Sequence, residues 1–462
     1  MRIAVIGAGI SGLGAAWLAS REHHVTLYEK APRIGGHAHT VDAHFNDVSI
    51  AVDTGFIVYN EANYPNLIGL FDTLGVETLP TDMSFSVSMR GQNFEYEGSL
   101  RGLIAQPSNL LRPRFWSMLS GLVKFYSTGM AEKDKGPADE TLGGFIKRCK
   151  LSDAFVEDHL LPMGAAIWSC PAETMLDYPV RSFLQFMENH RLMDFTGRPM
   201  WRTVKGGSRA YVDKIVADLG DVIEVDRNIT AIRREAGGVV LTIDGQGEVW
   251  YDYAILAAHA DESLSMIEDA SPQERDILSS FSFSDNHVIL HSDPKLMPKR
   301  RGAWAAWNYL ENQDETLAVS YWMNRLQSLD KRYPLFVTLN PETRPDAALI
   351  HREIDYQHPI FDSKAIQAQE RLPEIQGQNG LFWCGAWTAY GFHEDGLKSA
   401  VAVAKSLQID VPWKTPTNAV ANITLNGHQQ LHNKPAWYYT SWGELGGRHL
   451  CMMQHVILLY QK

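Results

Sequence analysis

Cysteine is scarce in this 462-residue chain. The four present, Cys149, Cys170, Cys384 and Cys451, form no C-x-x-C pair. That scatter excludes a disulfide framework and a cysteine-built zinc site, so no metal is expected, and it suits a reducing compartment. No apolar run is long enough to span a bilayer, and Met1 leads straight into a strand-like segment without a signal-peptide pattern. We therefore expect a cytoplasmic protein. A basic excess is missing too: the net charge is −12 and charged residues make up only 21%. General nucleic-acid binding requires a cationic face, so it is not expected. Repeats and low-complexity tracts are absent. What remains is ordinary globular composition, 45% hydrophobic, in a chain too long for one compact core, which predicts two domains.

The densest signal lies in the first 36 residues. The apolar run Arg2–Ile6 is followed by Gly7-Ala8-Gly9-Ile10-Ser11-Gly12, a helical stretch, and the strand-like Val25–Glu29. Each part of this G-x-G-x-x-G unit has a mechanical task in holding a dinucleotide. Gly7 permits the tight turn, Gly9 lets the backbone approach a pyrophosphate, and Gly12 lets the helix lie close to the strand. The helix start, with Ile10 and Ser11, offers free N–H groups and the positive end of its dipole. Glu29, 17 residues beyond Gly12, can accept from ribose hydroxyls, with Lys30 beside it. No second G-x-G-x-x-G unit follows, so a second bound nucleotide is not expected.

A second doublet, in Ala31-Pro32-Arg33-Ile34-Gly35-Gly36-His37, resembles the flavin-containing amine oxidase, protoporphyrinogen oxidase and phytoene desaturase superfamily. There an x-R-x-G-G segment wraps FAD, usually with Arg where this chain has His37. The resemblance implies an α/β fold, with a discontinuous Rossmann-like FAD-binding domain and a mixed α+β substrate domain. The FAD-binding domain is expected in three parts, residues 1–75, 202–265 and 375–410. The substrate domain takes 76–201 and 266–374, and 411–462 forms a tail without an assigned role. The segment Val52–Ile57 contributes Gly55, Phe56 and Ile57 to the cofactor site, and Ile229 matches the position against the adenine. The strand-to-helix segment Gly380–Ala400 implies that Gly385, Asp395, Gly396 and Leu397 close over the flavin.

Trp304–Tyr309, Tyr321–Gln327, Phe336–Pro341 and Gly391–Ala400 are similar to a bacterial subgroup of predicted NAD/FAD-binding proteins. Its relatives occur beside, or fused to, cyclopropane-fatty-acid synthases. That association implies an acyl-lipid substrate and a lipid methyltransferase as partner. The resemblance covers about residues 1–412.

The amine-oxidase branch often places a Lys near the flavin. The matching run Asp285–His291 offers Asn286 or His287 instead, which argues against amine oxidation. His287 and His291 either serve the site or decorate a strand. His393 and Glu394 are the other catalytic candidates; with Asp395 they either act on substrate or cap a helix. His37 and His39 face the flavin or merely decorate the loop, and a covalent flavin link would use a nearby Cys or His, with Cys384 better read as packing. Residues 101–130 carry Arg101, Arg112, Arg114 and Lys124, no acidic residue, and interleaved Leu, Phe and Trp. Together with Lys295, Lys299, Arg300 and Arg301 this segment either touches an anionic membrane surface or is a helix with a solvated basic face. The leading expectation is a FAD-dependent oxidoreductase acting on an apolar substrate, a modified fatty acyl lipid. The alternatives are a flavin amine oxidase and a non-catalytic FAD-binding partner of a lipid-modifying methyltransferase.

Overall fold

The computed structural model describes residues 1–414, apart from 47, 138, 169–171, 195–196 and 312–316. The tail reading therefore falls mostly outside the described residues, as do Cys170 and Cys451. The first strand, β1 (Arg2–Ile6), is buried from Ile3 to Ile6, as expected of a parallel strand covered on both faces. Helix α1 (Ile10–Ala19) follows, then β2 (His24–Tyr28). Five parallel strands form one sheet in the order Ile223–Glu224, β2, β1, Tyr253–Leu256 and Leu381–Trp383. Strands from three distant stretches of sequence thus lie side by side. Ile229–Glu235, Gly238–Ile243 and Gly247–Tyr251 form a separate antiparallel sheet, turned at Gly245 with φ +71.

A seven-stranded sheet is built from both remaining stretches. Its order is Ile350–Ile360, Ser282–His291, Phe336–Leu339, Leu317–Trp322, Trp307–Glu311, Phe85–Met89 and Phe94–Glu97. All neighbours are antiparallel except Trp307–Glu311 with Phe85–Met89. Helix α2 (Pro65–Leu74) packs on the parallel-sheet side, whereas α3 (Pro113–Glu132) belongs to the helical layer beside the large sheet. Among the described residues no helix is long and apolar enough to cross a membrane.

The unit containing β1 is locked by a buried carboxylate. Asp53, 1% exposed, accepts from Thr40 Oγ1 (2.6 Å), Ser208 N (2.8 Å), Ser208 Oγ (2.7 Å) and Gln327 Nε2 (3.0 Å). Helix α4 (His393–Ser406) lies against α1 at close range. A Cβ on Gly396 would stand 2.7 Å from Ser11 Oγ, and one on Gly14 2.6 Å from Leu397 Cδ1. Trp413 extends this contact by stacking on Trp17, ring centroids 6.1 Å apart.

Glu394 does not point at a reactive centre. Helix α2 begins with Pro65 and has no side-chain cap of its own. Glu394 supplies the cap from another helix: Oε1 accepts from Asn66 N (3.0 Å) and Nδ2 (2.7 Å), and Oε2 from Leu67 N (2.9 Å). Of the two readings open for this residue, the structure takes the cap, at α2 rather than at its own helix. Deleting it leaves three buried donors without a partner. Glu394→Ala should lower unfolding free energy by about 3 kcal/mol, measured by denaturant titration, and Glu394→Gln by less because one acceptor remains. Unchanged stability in the alanine variant would refute the capping role.

Candidate active site

The glycine loop is built by close backbone approach. Gly7 has φ +100 and a Cβ there would lie 2.9 Å from Ala257 O on the neighbouring strand's end. A Cβ on Gly12 would lie only 1.7 Å from Gly7 O. Gly9 differs: its Cβ would meet nothing nearer than Gly36 Cα at 4.0 Å, so the space above it is open. The doublet packs against the same loop, with Gly35 N donating to Ala8 O at 2.8 Å. Glu29, just past β2, clasps both sides: Oε2 accepts from Ala8 N (2.7 Å) and Oε1 from Ala31 N (2.9 Å). Its two remaining acceptor positions are unspent. The Arg33 guanidinium fastens the doublet from below through Gly36 O (2.7 Å) and Ala38 O (3.3 Å).

One cavity of about 1580 Å³ runs from this loop into the layer beside the seven-stranded sheet. Gly7, Gly9, Ile10 and Ser11 form one edge, with Glu29, Lys30 and Ile229 at the same end. Gly36 and His37 follow, then Gly55, Phe56 and Ile57, and Gly385 and His393 form part of the wall beyond them. Gly12 and Gly35 stand behind the surface as packing positions.

Asp395, Gly396 and Leu397 do not reach the cavity. Helix α4 starts at His393, so these three lie inside its first turns. Asp395 Oδ2 accepts from Phe392 N at 2.9 Å, Gly396 faces Ser11, and Leu397 is buried against α1. Gly391, Phe392 and His393 meet the cavity instead.

His287 is also misplaced for a site role. It is exposed, held between Asp355 (Nδ1, 2.7 Å) and Glu353 (Nε2, 3.1 Å) of the adjacent strand, and Asp355 raises its pKa. Asn286 is consumed by Ser284 and Asn340, and His291 by Thr338. Cys384 lies in the core, where burial pushes its thiol up to about 12, so packing is its role.

Histidines the sequence did not single out dominate the middle of the cavity. His259 and His358 join His37 in its wall, and His37 stacks on Tyr356 (4.8 Å between centroids). Burial pushes His37 well below its usual range and His358 to about 4. His259 is lowered by burial as well. All three are therefore neutral near pH 7. Among the described residues, His37 Nε2, His259 Nδ1 and His358 Nδ1 are buried without a hydrogen-bond partner. His39, lowered to about 4 by burial, also lines the cavity, bonded to Tyr356 OH at 2.8 Å. His393, pushed down to about 3, pairs with Tyr211 OH (2.7 Å) and stacks on Phe56 at 3.8 Å. Burial holds it neutral, as part of the cavity wall.

The far end is largely apolar, with Met118, Leu119, Leu122, Met163 and Ile167, and its lining also carries Tyr96, His159, His190 and Arg198. Tyr96 OH donates to Asp158 O (2.8 Å) and so takes its contact with His159 Nδ1 (2.9 Å) as acceptor. His159 is thereby the Nδ1–H tautomer, neutral because burial pushes it to about 4, and its buried Nε2 has no partner among the described residues. Its sequence neighbours gave no signal, because the partner Tyr96 is distant in sequence.

Comparison with known proteins places this geometry. The model of the family described as "Flavin containing amine oxidoreductase" matches residues 10–339. A Mycobacterium tuberculosis protein named "Putative flavin-containing monoamine oxidase AofH" is 25% identical over 264 residues, 55% of this chain and 56% of that protein. The chain thus spans about half the length of the curated relatives it matches. Two solved structures share the fold. The CLA-producing fatty acid isomerase from P. acnes is 16% identical with a TM-score of 0.63, covering 88% of this chain and 98% of its own. Cyclohexylamine oxidase from Brevibacterium oxydans IH-35A is 16% identical with a TM-score of 0.62, covering 88% and 99%. The family match extends over most of the chain, the open space above Gly9 and the unpartnered ring nitrogens fit a long polar cofactor, and the chain belongs to the flavin containing amine oxidoreductases, whose cofactor is FAD.

Proposed function

We propose that the chain is a FAD-dependent oxidoreductase that oxidises an apolar substrate, a modified fatty acyl chain. The observation that carries this reading is the continuous cavity leading from the glycine loop to an apolar chamber. At the loop end, the N–H groups at the start of α1 would receive the pyrophosphate. Glu29 has acceptor positions left for ribose hydroxyls, and Ile229 offers an apolar surface to the adenine. The unpartnered nitrogens of His37, His259 and His358 would meet the polar middle of the cofactor. FAD, when bound, takes up the electron pair, so the protein need only bind, orient and exclude water.

The chain's own residues suit that task. Met118, Leu122, Met163 and Ile167 offer an acyl chain dry contact. His159 Nε2, an acceptor only, would receive a hydroxyl group of such a substrate. The P. acnes protein with the same fold is a fatty acid isomerase by name, which supports an acyl-chain reading. The strand position that offers Asn286 or His287 carries neither into the cavity, which speaks against amine chemistry through that strand.

The reading makes three linked predictions. Purified protein should show flavin absorbance, and lipids that change between cells with and without the gene should bleach it anaerobically. Colourless protein, or peroxide released from amines while lipids leave the flavin oxidised, would overturn the proposal, as would a bound flavin that no lipid reduces. Gly9→Val should give a folded protein without flavin, since the new side chain enters open space, whereas Gly12→Val should fail to fold because its Cβ meets Gly7 O. His159→Leu should keep its flavin and bleach about tenfold more slowly, the loss of one buried hydrogen bond. Equal rates in wild type and variant would remove His159 from substrate positioning.

A further inference from the structure

Apolar exposure on this molecule is concentrated. Among the described residues eight large apolar side chains are exposed, and five of them are Ile104, Leu110, Leu111, Trp116 and Val123. Leu111 is 86% exposed and Trp116 45%. They sit on the turn before α3 and along that helix.

The fold adds cations to the same region. The segment with Lys299 and Arg301 packs against it: Lys299 N donates to Glu95 Oε1 (2.7 Å), and a Cβ on Gly302 would touch Ala105 Cβ at 3.3 Å. Two of the basic residues are neutralised, Arg114 by Asp158 (2.8 Å) and Glu157, and Arg300 by Glu95 (2.8 Å). Arg101, Lys299 and Arg301 have no carboxylate partner within ion-pair distance among the described residues. Among the described residues, Arg112 and Lys124 bond only to Asn109 and to backbone carbonyls. A cationic, apolar face is complementary to an anionic lipid surface, whereas two copies of this chain meeting through the same face would set like charges against each other.

The cavity reaches the same helix. Val123 is both 41% exposed and part of the cavity wall, so it marks a mouth. Leu119, Leu122 and Tyr126 line the interior beside it. We propose that this face docks on an anionic bilayer and that the mouth at Val123 takes its acyl substrate directly from the lipid. An apolar chain then enters the chamber without crossing water. The second half of this inference rests on the acyl-substrate reading; the docking half does not.

The test is co-sedimentation of the flavin-loaded protein with phosphatidylglycerol vesicles and, separately, phosphatidylcholine vesicles. Strong binding is expected only to the first, weakening as salt rises. Leu111→Ser with Trp116→Ser, neither of which lines the cavity, should lower the partition coefficient by about tenfold or more. Arg101→Glu with Lys299→Glu should do the same. Flavin content and unfolding midpoint report that both pairs remain folded. Wild-type protein that ignores phosphatidylglycerol overturns the docking, and so do variants that bind unchanged. So does a concentration-dependent dimer in sedimentation velocity that the same substitutions abolish, because a second copy would then cover the face. Docking with no lipid-driven bleaching would sink the substrate reading and with it the uptake of substrate at Val123, but not the docking. Bleaching by detergent-dispersed lipid without docking would sink this inference alone.

Discussion

Asp53 is the point on which the architecture turns. Its carboxylate receives donors from Thr40, Ser208 and Gln327, residues drawn from three parts of the chain that nothing local would bring together. Burial pushes its pKa up to about 6, while the bonds from Thr40 and Ser208 pull it down. A buried carboxylate with its donors in place fixes one arrangement, and any slippage between the segments would leave charge or donors stranded at a cost of several kcal/mol. Thr54, Gly55 and Phe56 follow directly in sequence and form cavity wall. The discontinuous cofactor site therefore inherits its precision from a contact lying just behind it.

The cavity in front of that contact carries a group of uncharged imidazoles, with Asp285 and Asp355 also in its lining. His37, His39, His358 and His393 are all held neutral by burial. A neutral imidazole both donates and accepts, so a row of them can satisfy a polar cofactor without fixing the sign of charge it must carry. A low-dielectric wall of this kind also magnifies any charge that develops inside it. The design differs from one based on a lysine or a carboxylate pair, in which a fixed charge would favour one redox state of the bound group over the other.

Legibility from sequence followed locality. The glycine loop, Glu29 and the doublet were readable because their geometry is set within 36 residues, and the structure assembles them as the spacing requires. Phe56, Ile57, Ile229 and Gly385 were readable through family resemblance, and they do line the cavity. Asp395, Gly396 and Leu397 were displaced because the position of a helix start cannot be read to within one turn, and one turn separates cavity from core. His287 was lost to a pairing with Asp355 that depends on strand register. His159, His259 and His358 were invisible because each sits alone in its local sequence and acquires meaning only from distant neighbours.

Helix α4 shows how little freedom remains once those neighbours are set. Successive residues of a helix point about 100° apart, and here each direction is committed. His393 faces the cavity and holds Tyr211; Glu394 turns to α2 and satisfies its first donors; Asp395 closes back on Phe392; Gly396 lets α1 approach. A rotation that brought Glu394 toward the cavity would strip α2 of its cap and drive side chains into α1. Four consecutive positions thus define both the cavity wall and the scaffold behind it. The acidic pair that looks like chemistry in the sequence is the structural half of that arrangement, and the histidine beside it is the half that faces the site.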